Sequence, residues 1–556
     1  MKKLLTLFLC VVMLFSITAC GSDVRYDSNI KEISTEDAKT ELNALLGEID
    51  VNNVVNPNLD IYMDEAGSKL ALANIDTFDI TVKGSGSINI EVAAATELSS
   101  EAPDDWINVV AKNFNNEHFE INGRTVSVSV RCITSGEVVT YVSADAYKPN
   151  VFIPSNNAWG LMLEASGVGI NEIEDRIAGN TAGILMSEDA YKTFHEKYKE
   201  DTVSNVLKAA NAGDIIFAYT NPYTSSTGLN MLTAMLKDFD KNDPLSSTAS
   251  AALMEYQKTS PPVAYTTAVL RNQARKGVID TMVMEEQAYI NTTELRDYKY
   301  FPFGIRHDHP VYTFDWNTDE ENEAAKLFTE YCLNEKSQKL ATEKGFNRND
   351  SYKSQDSGLT GTGYLTAQSL WKQNKNGDRP IVAVFVADVS GSMGGEPLAA
   401  LQESLVATIP YIGEGHYVGL VSYSTDVTIN LPIEEFNNKH RAYFSGEVKG
   451  LMPSGGTSTY DAVLVGLDMI EKKLEEIPDA MPIMFVLTDG EANGGYSLDR
   501  IATVVASLDV PVYTIAYNYN NMSDLSTLSG LNEAASIRAD SSDIVNQLRN
   551  LFNTQM

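Results

Sequence analysis

Three polar residues at alternate positions follow an apolar run in the C-terminal third of the chain. In the stretch VFVADVSGSMGGEP, residues 384–397, these are Asp388, Ser390 and Ser392. Serine hydroxyls with this spacing could cap a helix, attack an acyl group or ligate a metal ion. Other parts of the sequence discriminate between the three roles.

Two later segments supply matching oxygen groups. The segment PSGGTSTYDA, residues 453–462, offers Thr457 ahead of a helical pattern, and the apolar run 481–489 ends at Asp489. Residues just past the carboxyl ends of parallel strands converge on one crevice, so we expect these groups to meet. Two carboxylates and three hydroxyls form an all-oxygen site, which suits Mg²⁺, with Ca²⁺ or Mn²⁺ as alternatives, and does not suit zinc.

The nucleophile and the helix cap explain less of the pattern. An activated serine needs a base within hydrogen-bond reach, and these loops contain none of the histidines, which are His118, His195, His307, His309, His416 and His440. The chain also lacks a G-x-S-x-G elbow. A helix cap accounts for Ser392 but not for Asp388 or Asp489. The sequence therefore predicts a binding protein and not an enzyme.

Strands and helices alternate over the whole C-terminal region. The predicted strands are 380–388, 417–424, 481–489 and 511–518, and the predicted helices are 397–409, 459–476, 497–508 and 541–552. This alternation predicts an α/β domain with a doubly wound, Rossmann-like sheet over residues 379–556.

The C-terminal region resembles the von Willebrand factor type A domain. Its D-x-S-x-S, later GGT and later TDG occur in the order of that family's metal-ion-dependent adhesion site. The resemblance implies that Ser390 and Ser392 ligate the cation directly, that Thr457 does so directly or through water, and that Asp388 and Asp489 hold coordinated waters. It also implies an open coordination position, which an Asp or Glu of a protein partner fills.

Residues 81–346 form a second region of short apolar strands separated by helical segments. The predicted strands are 88–96, 125–133, 150–155, 182–187, 214–221 and 277–284. The alternation predicts a parallel sheet with crossover helices, and the length of the region favours two lobes. The segments 135–143, 152–160, 219–232 and 277–287 together resemble the bacterial extracellular solute-binding proteins, which are two-lobed, periplasmic-binding-protein-like clamshells with a ligand in the cleft.

Hydroxyl groups at predicted helix starts mark the solute site. In NPYTSSTGLNML, residues 221–232, Ser225 and Ser226 open a helix, and their hydroxyls with the free backbone N–H groups favour an anionic or polar oxygen ligand. Ordinary caps and turns are the alternative for each of these positions. Glu285 and Glu286 argue against a simple anion site if they point inward. Further candidates after other strand ends are Thr96, Ser135 and Asn156.

The N-terminus has the features of a secretory signal. Residues 1–20, MKKLLTLFLCVVMLFSITAC, combine two lysines, an apolar run too short to span a bilayer, and small residues before Cys20. The end of this segment resembles the lipobox of bacterial lipoproteins, which implies a lipid (palmitate) anchor on Cys20 at the outer face of the cell membrane. We expect an acidic tether over 21–80, with one helix that a Ser34–Asp37 capping box begins, and a linker over 347–378.

The formal charge of −33 argues against nucleic acid as a partner, because the 75 acidic residues repel a phosphate backbone. Cys132 and Cys332 could form a disulfide in an oxidising compartment or remain buried thiols. The segment RHDHP, residues 306–310, fits a turn before Pro310 better than a metal motif. We therefore expect a lipid-anchored extracytoplasmic protein that binds a protein partner through a cation and carries a domain for a small polar or anionic solute. The alternative is the solute-binding component of an ABC-type transport system.

Overall fold

The computed structural model describes residues 30–539 apart from 31, 61–71, 73, 260, 265, 266, 268, 269, 272, 273, 275–278, 378, 414, 518–522, 533 and 535, and it describes only the backbone of 536–539. The predicted signal segment with Cys20 and the predicted helix 541–552 lie outside the described residues. No helix within the described ranges is both long and apolar enough to cross a bilayer.

The described residues form three sheets with helices packed on them. The strands are β1 (Val51–Asn53), β2 (Ile80–Val82), β3 (Ile88–Ala94), β4 (Glu120–Ile121), β5 (Arg124–Cys132), β6 (Val151–Ile153), β7 (Ile170–Glu174), β8 (Asn180–Met186), β9 (Phe217–Thr220), β10 (Val263–Ala264), β11 (Thr281–Glu285), β12 (Lys299–His307), β13 (Val311–Phe314), β14 (Ile381–Asp388), β15 (Tyr417–Tyr423), β16 (Val427–Glu435), β17 (Met481–Thr488), β18 (Val512–Tyr517) and β19 (Ser536–Ala539).

Helix α1 precedes the first strand, and the other helices lie between strands along the chain. They are α1 (Thr35–Leu46), α2 (Thr96–Ser99), α3 (Trp106–Glu117), α4 (Ser135–Ser143), α5 (Ala158–Ala165), α6 (Glu188–Tyr198), α7 (Val203–Asn211), α8 (Ser226–Phe239), α9 (Ser247–Gln257), α10 (Glu286–Ile290), α11 (Asp319–Leu333), α12 (Glu335–Glu343), α13 (Gly361–Asn374), α14 (Glu396–Thr408), α15 (Asn438–Gly450), α16 (Thr459–Glu476), α17 (Leu498–Leu508) and α18 (Ser523–Gly530).

The middle region has two lobes, each built on its own sheet. Lobe 1 contains the order β2-β5-β3-β6-β13-β7, with β4 paired to β5, and lobe 2 contains β10-β9-β11-β8-β12. Both sheets are mixed: β3 runs parallel to β5 and β6, whereas β13 is antiparallel to β6, and β11 is antiparallel to β8. The chain passes from lobe 1 to lobe 2 between β7 and β8, and it returns between β12 and β13. The predicted two-lobed α/β architecture is confirmed, but the predicted parallel sheet is wrong, because each lobe sheet contains antiparallel pairs.

The C-terminal domain contains the third sheet, in the order β1-β16-β15-β14-β17-β18-β19. From β16 to β19 this order reads 3-2-1-4-5-6 along the chain, which is the doubly wound topology with its switch point between β14 and β17. Strand β16 runs antiparallel to β15. Strand β14 runs parallel to both β15 and β17, and β17 runs parallel to β18. The eight residues of β14 are all buried, as a central strand covered on both faces requires.

The segment expected to be a tether instead packs on the C-terminal domain. The Ser34 hydroxyl caps α1 by accepting the Asp37 N–H at 3.1 Å, as the sequence pattern predicts. Ala38, Leu42 and Leu45 of α1 are buried in the core that contains β14, α16 and α17. Strand β1 then pairs with β16 at the edge of the sheet. The helix and its apolar spacing were predicted, but the acidic composition of the segment did not reveal that this apolar face is buried in the C-terminal domain.

The segment expected to be a linker contains a packed helix. Helix α13 begins after Thr360, whose hydroxyl accepts the Gly363 N–H at 3.2 Å. Its Trp371 is fully buried in the core of lobe 2, where the indole N–H donates to the Tyr219 hydroxyl at 2.9 Å. The residues before α13 are rich in Ser, Asn and Asp, and that composition obscured the helix that follows them.

The two cysteines of the described residues are free thiols: Cys332 is buried and Cys132 is partly buried. Burial raises the pKa of both thiols, although the Ser99 hydroxyl opposes the effect at Cys132. Of the two alternatives that the sequence leaves open, the structure shows unpaired thiols and no disulfide.

Candidate functional site

The Asp388 carboxylate is held from both sides of the switch point in the C-terminal sheet. Asp388 ends β14 and is fully buried. Its Oδ1 accepts the Ser390 backbone N–H at 2.7 Å, and its Oδ2 accepts the hydroxyl of Thr488, at the end of β17, at 2.6 Å. Both oxygens therefore have hydrogen-bond donors that fix the orientation of the carboxylate.

A chain of hydroxyl contacts connects the β14 loop with the β17 loop. The hydroxyls of Ser390 and Ser392 lie 3.1 Å apart, and Ser392 donates to Asp489 Oδ1 at 2.9 Å. Ser390 is buried, whereas Ser392 is exposed. Four of the five predicted metal-site residues thus lie in one hydrogen-bonded network at the carboxyl edge of the sheet.

Thr457 reaches the same edge on a neighbouring loop. The Ser454 N–H donates to the Val389 carbonyl at 2.7 Å, and the Gly391 N–H donates to the Gly455 carbonyl at 3.1 Å, so the two loops lie side by side. Gly455 has φ +69°, and a Cβ there would approach the Thr425 hydroxyl to 2.6 Å. The GGT sequence is therefore needed for this close packing of the loop.

Asn493 is a contributor that the sequence analysis missed. Its side-chain oxygen accepts the Thr457 N–H at 2.8 Å, and its side-chain nitrogen donates to the Thr457 hydroxyl at 3.4 Å. Asn493 follows the TDG sequence by three residues, and nothing in its local pattern identifies it as a support for Thr457.

The donor set at this edge fits a hard divalent cation. It consists of carboxylate and hydroxyl oxygens, which Mg²⁺, Ca²⁺ and Mn²⁺ prefer. Burial raises the pKa of Asp388 and Asp489, and hydrogen bonds from Thr488 and Ser392 oppose that effect. Over the described ranges, the structure contains no group of three or more His, Cys, Asp or Glu that could hold a metal. A cation at this edge would therefore depend on the serine and threonine hydroxyls.

A second candidate site lies in the cleft between the two lobes, where a cavity of about 240 Å³ is enclosed by polar residues. Four of the five predicted solute-site residues line it: Thr96, Ser135, Ser225 and Ser226. Asn156 is buried but does not line the cavity, and its side-chain oxygen accepts the Ala158 N–H at 3.1 Å in the turn before α5. Its local role is that of a turn residue.

The floor of this cleft joins helix starts from both lobes. A Cβ at Gly136, in the first turn of α4, would come within 1.9 Å of the Tyr223 carbonyl before α8, so the two helix starts abut. The Ser226 hydroxyl donates to Ser155 at 2.8 Å and accepts the Trp159 indole N–H at 2.8 Å. Hydroxyls and helix N-termini therefore line the cleft, as the sequence predicts.

The structure also places carboxylates in the cleft that sequence analysis did not select. Glu97 accepts hydrogen bonds from Ser155 and, at 3.3 Å, from His309, whose other ring nitrogen contacts the Ala178 carbonyl at 2.6 Å. Burial alone would raise the pKa of Glu97, but the hydrogen bonds and charge of His309, with the Ser155 hydroxyl, lower it to about 2. The RHDHP segment thus orients Glu97 through His309.

Two more acidic side chains line the cavity. Asp104 of lobe 1 accepts the Gln287 side-chain N–H of lobe 2 at 2.7 Å, which forms a hydrogen bond across the cleft. Glu285 ends β11 and accepts the Thr227 hydroxyl, and burial with the Glu97 charge raises its pKa to about 7. Glu285 therefore points inward, which is the condition under which the sequence argued against a simple anion site. Glu286 lies outside the cavity lining and accepts the Thr181 hydroxyl at 3.3 Å.

Comparison with known families supports the two-domain architecture. Residues 383–553 match the von Willebrand factor type A domain, and residues 93–347 match the family described as bacterial extracellular solute-binding protein. Among curated proteins, the inter-alpha-trypsin inhibitor heavy chain H3 of Mus musculus is 31% identical over 182 residues, covering 30% of this chain and 20% of the relative. The chain thus spans about a fifth of the length of this relative.

Two solved structures are among those to which this chain shows similarity. A von Willebrand factor type A protein from Catenulispora acidiphila is 17% identical, with a TM-score of 0.29, and covers 32% of this chain and 42% of its own. Iron-bound HitA from Pseudomonas aeruginosa is 11% identical, with a TM-score of 0.38, and covers 52% of this chain and 99% of its own. At these scores the two structures carry no functional argument.

Proposed function

Because this chain joins a bacterial extracellular solute-binding domain to a von Willebrand factor type A domain, we propose that it is a lipid-anchored extracytoplasmic binding protein. It engages a protein partner through a divalent cation held by the C-terminal domain. The observation that carries this proposal is the hydrogen-bonded network of Asp388, Ser390, Ser392 and Asp489 at the switch point of the sheet. Cys20 is the proposed site of the anchor.

The arrangement of the network supports binding of a carboxylate through a metal ion. Ser390, Ser392 and Thr457 would offer neutral oxygens to the cation, so most of its positive charge would remain available to an incoming acid. The exposed position of Ser392 leaves this face open to a partner. An Asp or Glu of the partner would complete the coordination shell. A nucleophilic serine needs an adjacent general base. The Ser390 hydroxyl contacts the Ser392 hydroxyl, which cannot act as one, so we propose binding without catalysis.

Calorimetric titration of the full chain with Mg²⁺, Ca²⁺ and Mn²⁺ tests the cation site. We expect saturable binding of at least one cation and its loss in a Ser390→Ala/Ser392→Ala variant. The matched control is Ser404→Ala, because Ser404 is a buried serine of the same domain that donates only to the Leu401 carbonyl of its own helix. Equal heats in the double variant and the wild type would refute the site.

The interlobe cavity favours a second candidate function, the solute-binding component of an ABC-type transport system. Such a component must deliver its solute to a membrane permease, so the full chain should co-purify from its native membrane with a permease and an ATPase subunit. Co-purification with other surface proteins alone would favour the cation-dependent interaction instead.

A further inference from the structure

The interlobe cavity contains more hydrogen-bond acceptors than the described residues satisfy. Glu97 and Asp104 enter it from lobe 1, and Glu285 enters it from lobe 2. One oxygen of each carboxylate accepts hydrogen bonds. Glu97 accepts from His309 and Ser155. Asp104 accepts from Gln287, and Glu285 accepts from Thr227. No described residue donates to the second oxygen of any of the three. Three acceptor atoms are therefore available to a ligand.

Gln287 provides independent evidence for a missing donor. Its side chain lines the cavity, is fully buried and donates its N–H group to Asp104. Its carbonyl oxygen has no hydrogen-bond partner, although a buried acceptor without one costs about 1–3 kcal/mol. The hydroxyl of Thr224, also buried in the cavity wall, is similarly unpartnered. A ligand that carries N–H groups would satisfy the Gln287 carbonyl, whereas an oxyanion would not.

Two hydroxyl hydrogens of the cleft are already used within the protein. Ser155 donates to Glu97, and Ser226 donates to Ser155. Arg271 is the basic side chain that lines the described part of the cavity wall, and its guanidinium lies 3.4 Å from the Thr292 hydroxyl. Among the described lining residues, three carboxylates thus face one guanidinium, and a multiply charged oxyanion would meet a surplus of like charge there.

The shape and composition of the cavity narrow the choice of cation. Among the described residues there is no group of three or more His, Cys, Asp or Glu that could hold a metal ion, so these carboxylates do not form such a group. The described lining residues include no aromatic side chain, so none of them could stack on a flat ligand or on the face of a sugar. Its volume of about 240 Å³ is that of a small organic molecule.

We propose that the cleft binds a small organic solute through one or more protonated amino groups, whose N–H groups donate to acceptors among Glu97, Asp104, Glu285 and the Gln287 carbonyl. This inference rests on the proposed solute-binding role of the domain. A carboxylate on the same solute would be placed at Arg271 and the N-terminus of α8, where backbone N–H groups favour negative charge. The low pKa of Glu97 agrees with a charged carboxylate there, and an ammonium group beside Glu285 would restore its charged form.

Thermal unfolding of the full chain with defined solutes tests the proposal. One set contains the amines glycine, lysine, arginine, putrescine and spermidine, and the other contains sulfate, phosphate and glucose. We expect saturable stabilisation by at least one amine and none by the second set. Stabilisation only by sulfate, phosphate or glucose would overturn the amine and leave solute binding intact. Stabilisation by no solute would overturn both the amine and the solute-binding role.

Variants then locate the amine in the cleft. Asp104→Asn and Glu285→Gln should each weaken binding of the stabilising amine about tenfold or more, because each removes a charged acceptor. Glu286→Gln is the matched control, since Glu286 is adjacent in sequence but does not line the cavity. Unchanged affinity in both cleft variants, or an equal loss in the control, would overturn the proposal. Arg271→Gln separates the two kinds of amine: it weakens binding of amino acids and not of amines that lack a carboxylate.

Discussion

At the scale of single residues, both candidate sites rely on side chains that are positioned by partners far away in sequence. Asp388 is oriented by Thr488, and Glu97 is oriented by His309, which lies more than 200 residues further along the chain. The D-x-S-x-S pattern identified Asp388 because its spacing is local. Glu97 has no local pattern, and only the tertiary fold brings its two hydrogen-bond donors to it. Sites marked by a short local motif can therefore be predicted from the sequence, whereas a cleft lined by residues that are distant in sequence cannot.

The first prediction at this scale concerns Glu285 and pH. Burial raises the pKa of this carboxyl to about 7, against 4.5 for a free glutamate. The folded chain then binds the proton more tightly than the unfolded chain does. The Glu285 carboxyl therefore lowers the free energy of unfolding as pH rises from about 4.5 to 7, by at most about 3 kcal/mol.

In the absence of ligand, we expect Glu285→Gln to remove this pH-dependent decrease in the free energy of unfolding. The difference in melting temperature between variant and wild type should increase from pH 5 to pH 8 and then level off. Glu200→Gln, at an exposed position, is the control and should show no such trend. A difference that stays constant over this pH range would contradict the buried, ligand-facing position of Glu285.

At the scale of elements, apolar runs predicted the buried strands well. The predicted strands 380–388 and 481–489 correspond to β14 and β17 within a residue at each end. Strand β16 was missed because it mixes polar and apolar residues: several of its positions are exposed or partly buried, and only the three-residue strand β1 lies beyond it in the sheet. Helix α13 was missed because its mean composition is polar, although its buried positions include Tyr364, Ala367 and Trp371.

Helix α13 connects the two lobes before the chain enters the C-terminal domain. Its Tyr364 packs in a core cluster with α4 and α5 of lobe 1, whereas Ala367 and Trp371 pack in the core of lobe 2. Only six residues separate the end of α13 from the start of β14. The helix therefore braces the lobes against each other at the junction with the next domain.

The second prediction tests this brace. Trp371→Ala should lower the free energy of unfolding by about 3–5 kcal/mol, because it removes a fully buried indole and leaves the Tyr219 hydroxyl without that donor. Differential scanning calorimetry and protease sensitivity of residues 347–378 provide the measurements. The control is Thr366→Ala, an exposed position on the same helix whose hydroxyl bonds only to the Thr362 carbonyl. Equal protease sensitivity in both variants would mean that α13 is not a brace.

At the scale of the whole molecule, the two-lobed domain interrupts the C-terminal domain. Residues 30–60 contribute α1 and β1 to the sheet and core that residues 381–539 otherwise build. The contact continues beyond β1, where the Asn58 N–H donates to Glu447 at 2.6 Å and the Asp60 carboxylate accepts the Ser445 hydroxyl at 2.9 Å on α15. If Cys20 carries the proposed anchor, nine residues separate it from the first described residue of this domain. The candidate cation site would then belong to the domain that follows the anchor directly in the sequence.

The third prediction follows from this interrupted arrangement. Leu42→Ala and Leu45→Ala each remove a buried side chain of α1 from the core shared with α16 and α17, and each should cost about 2–5 kcal/mol of unfolding free energy. Because that core also supports β14 and β17, the double variant should lower the melting temperature of the C-terminal domain and weaken its cation binding. Asn43→Ala, at an exposed position of the same helix, is the control and should change neither measurement. If residues 30–60 were only a tether, calorimetry would find the double variant and the control alike, because a tether shares no core with the sheet that supports the site.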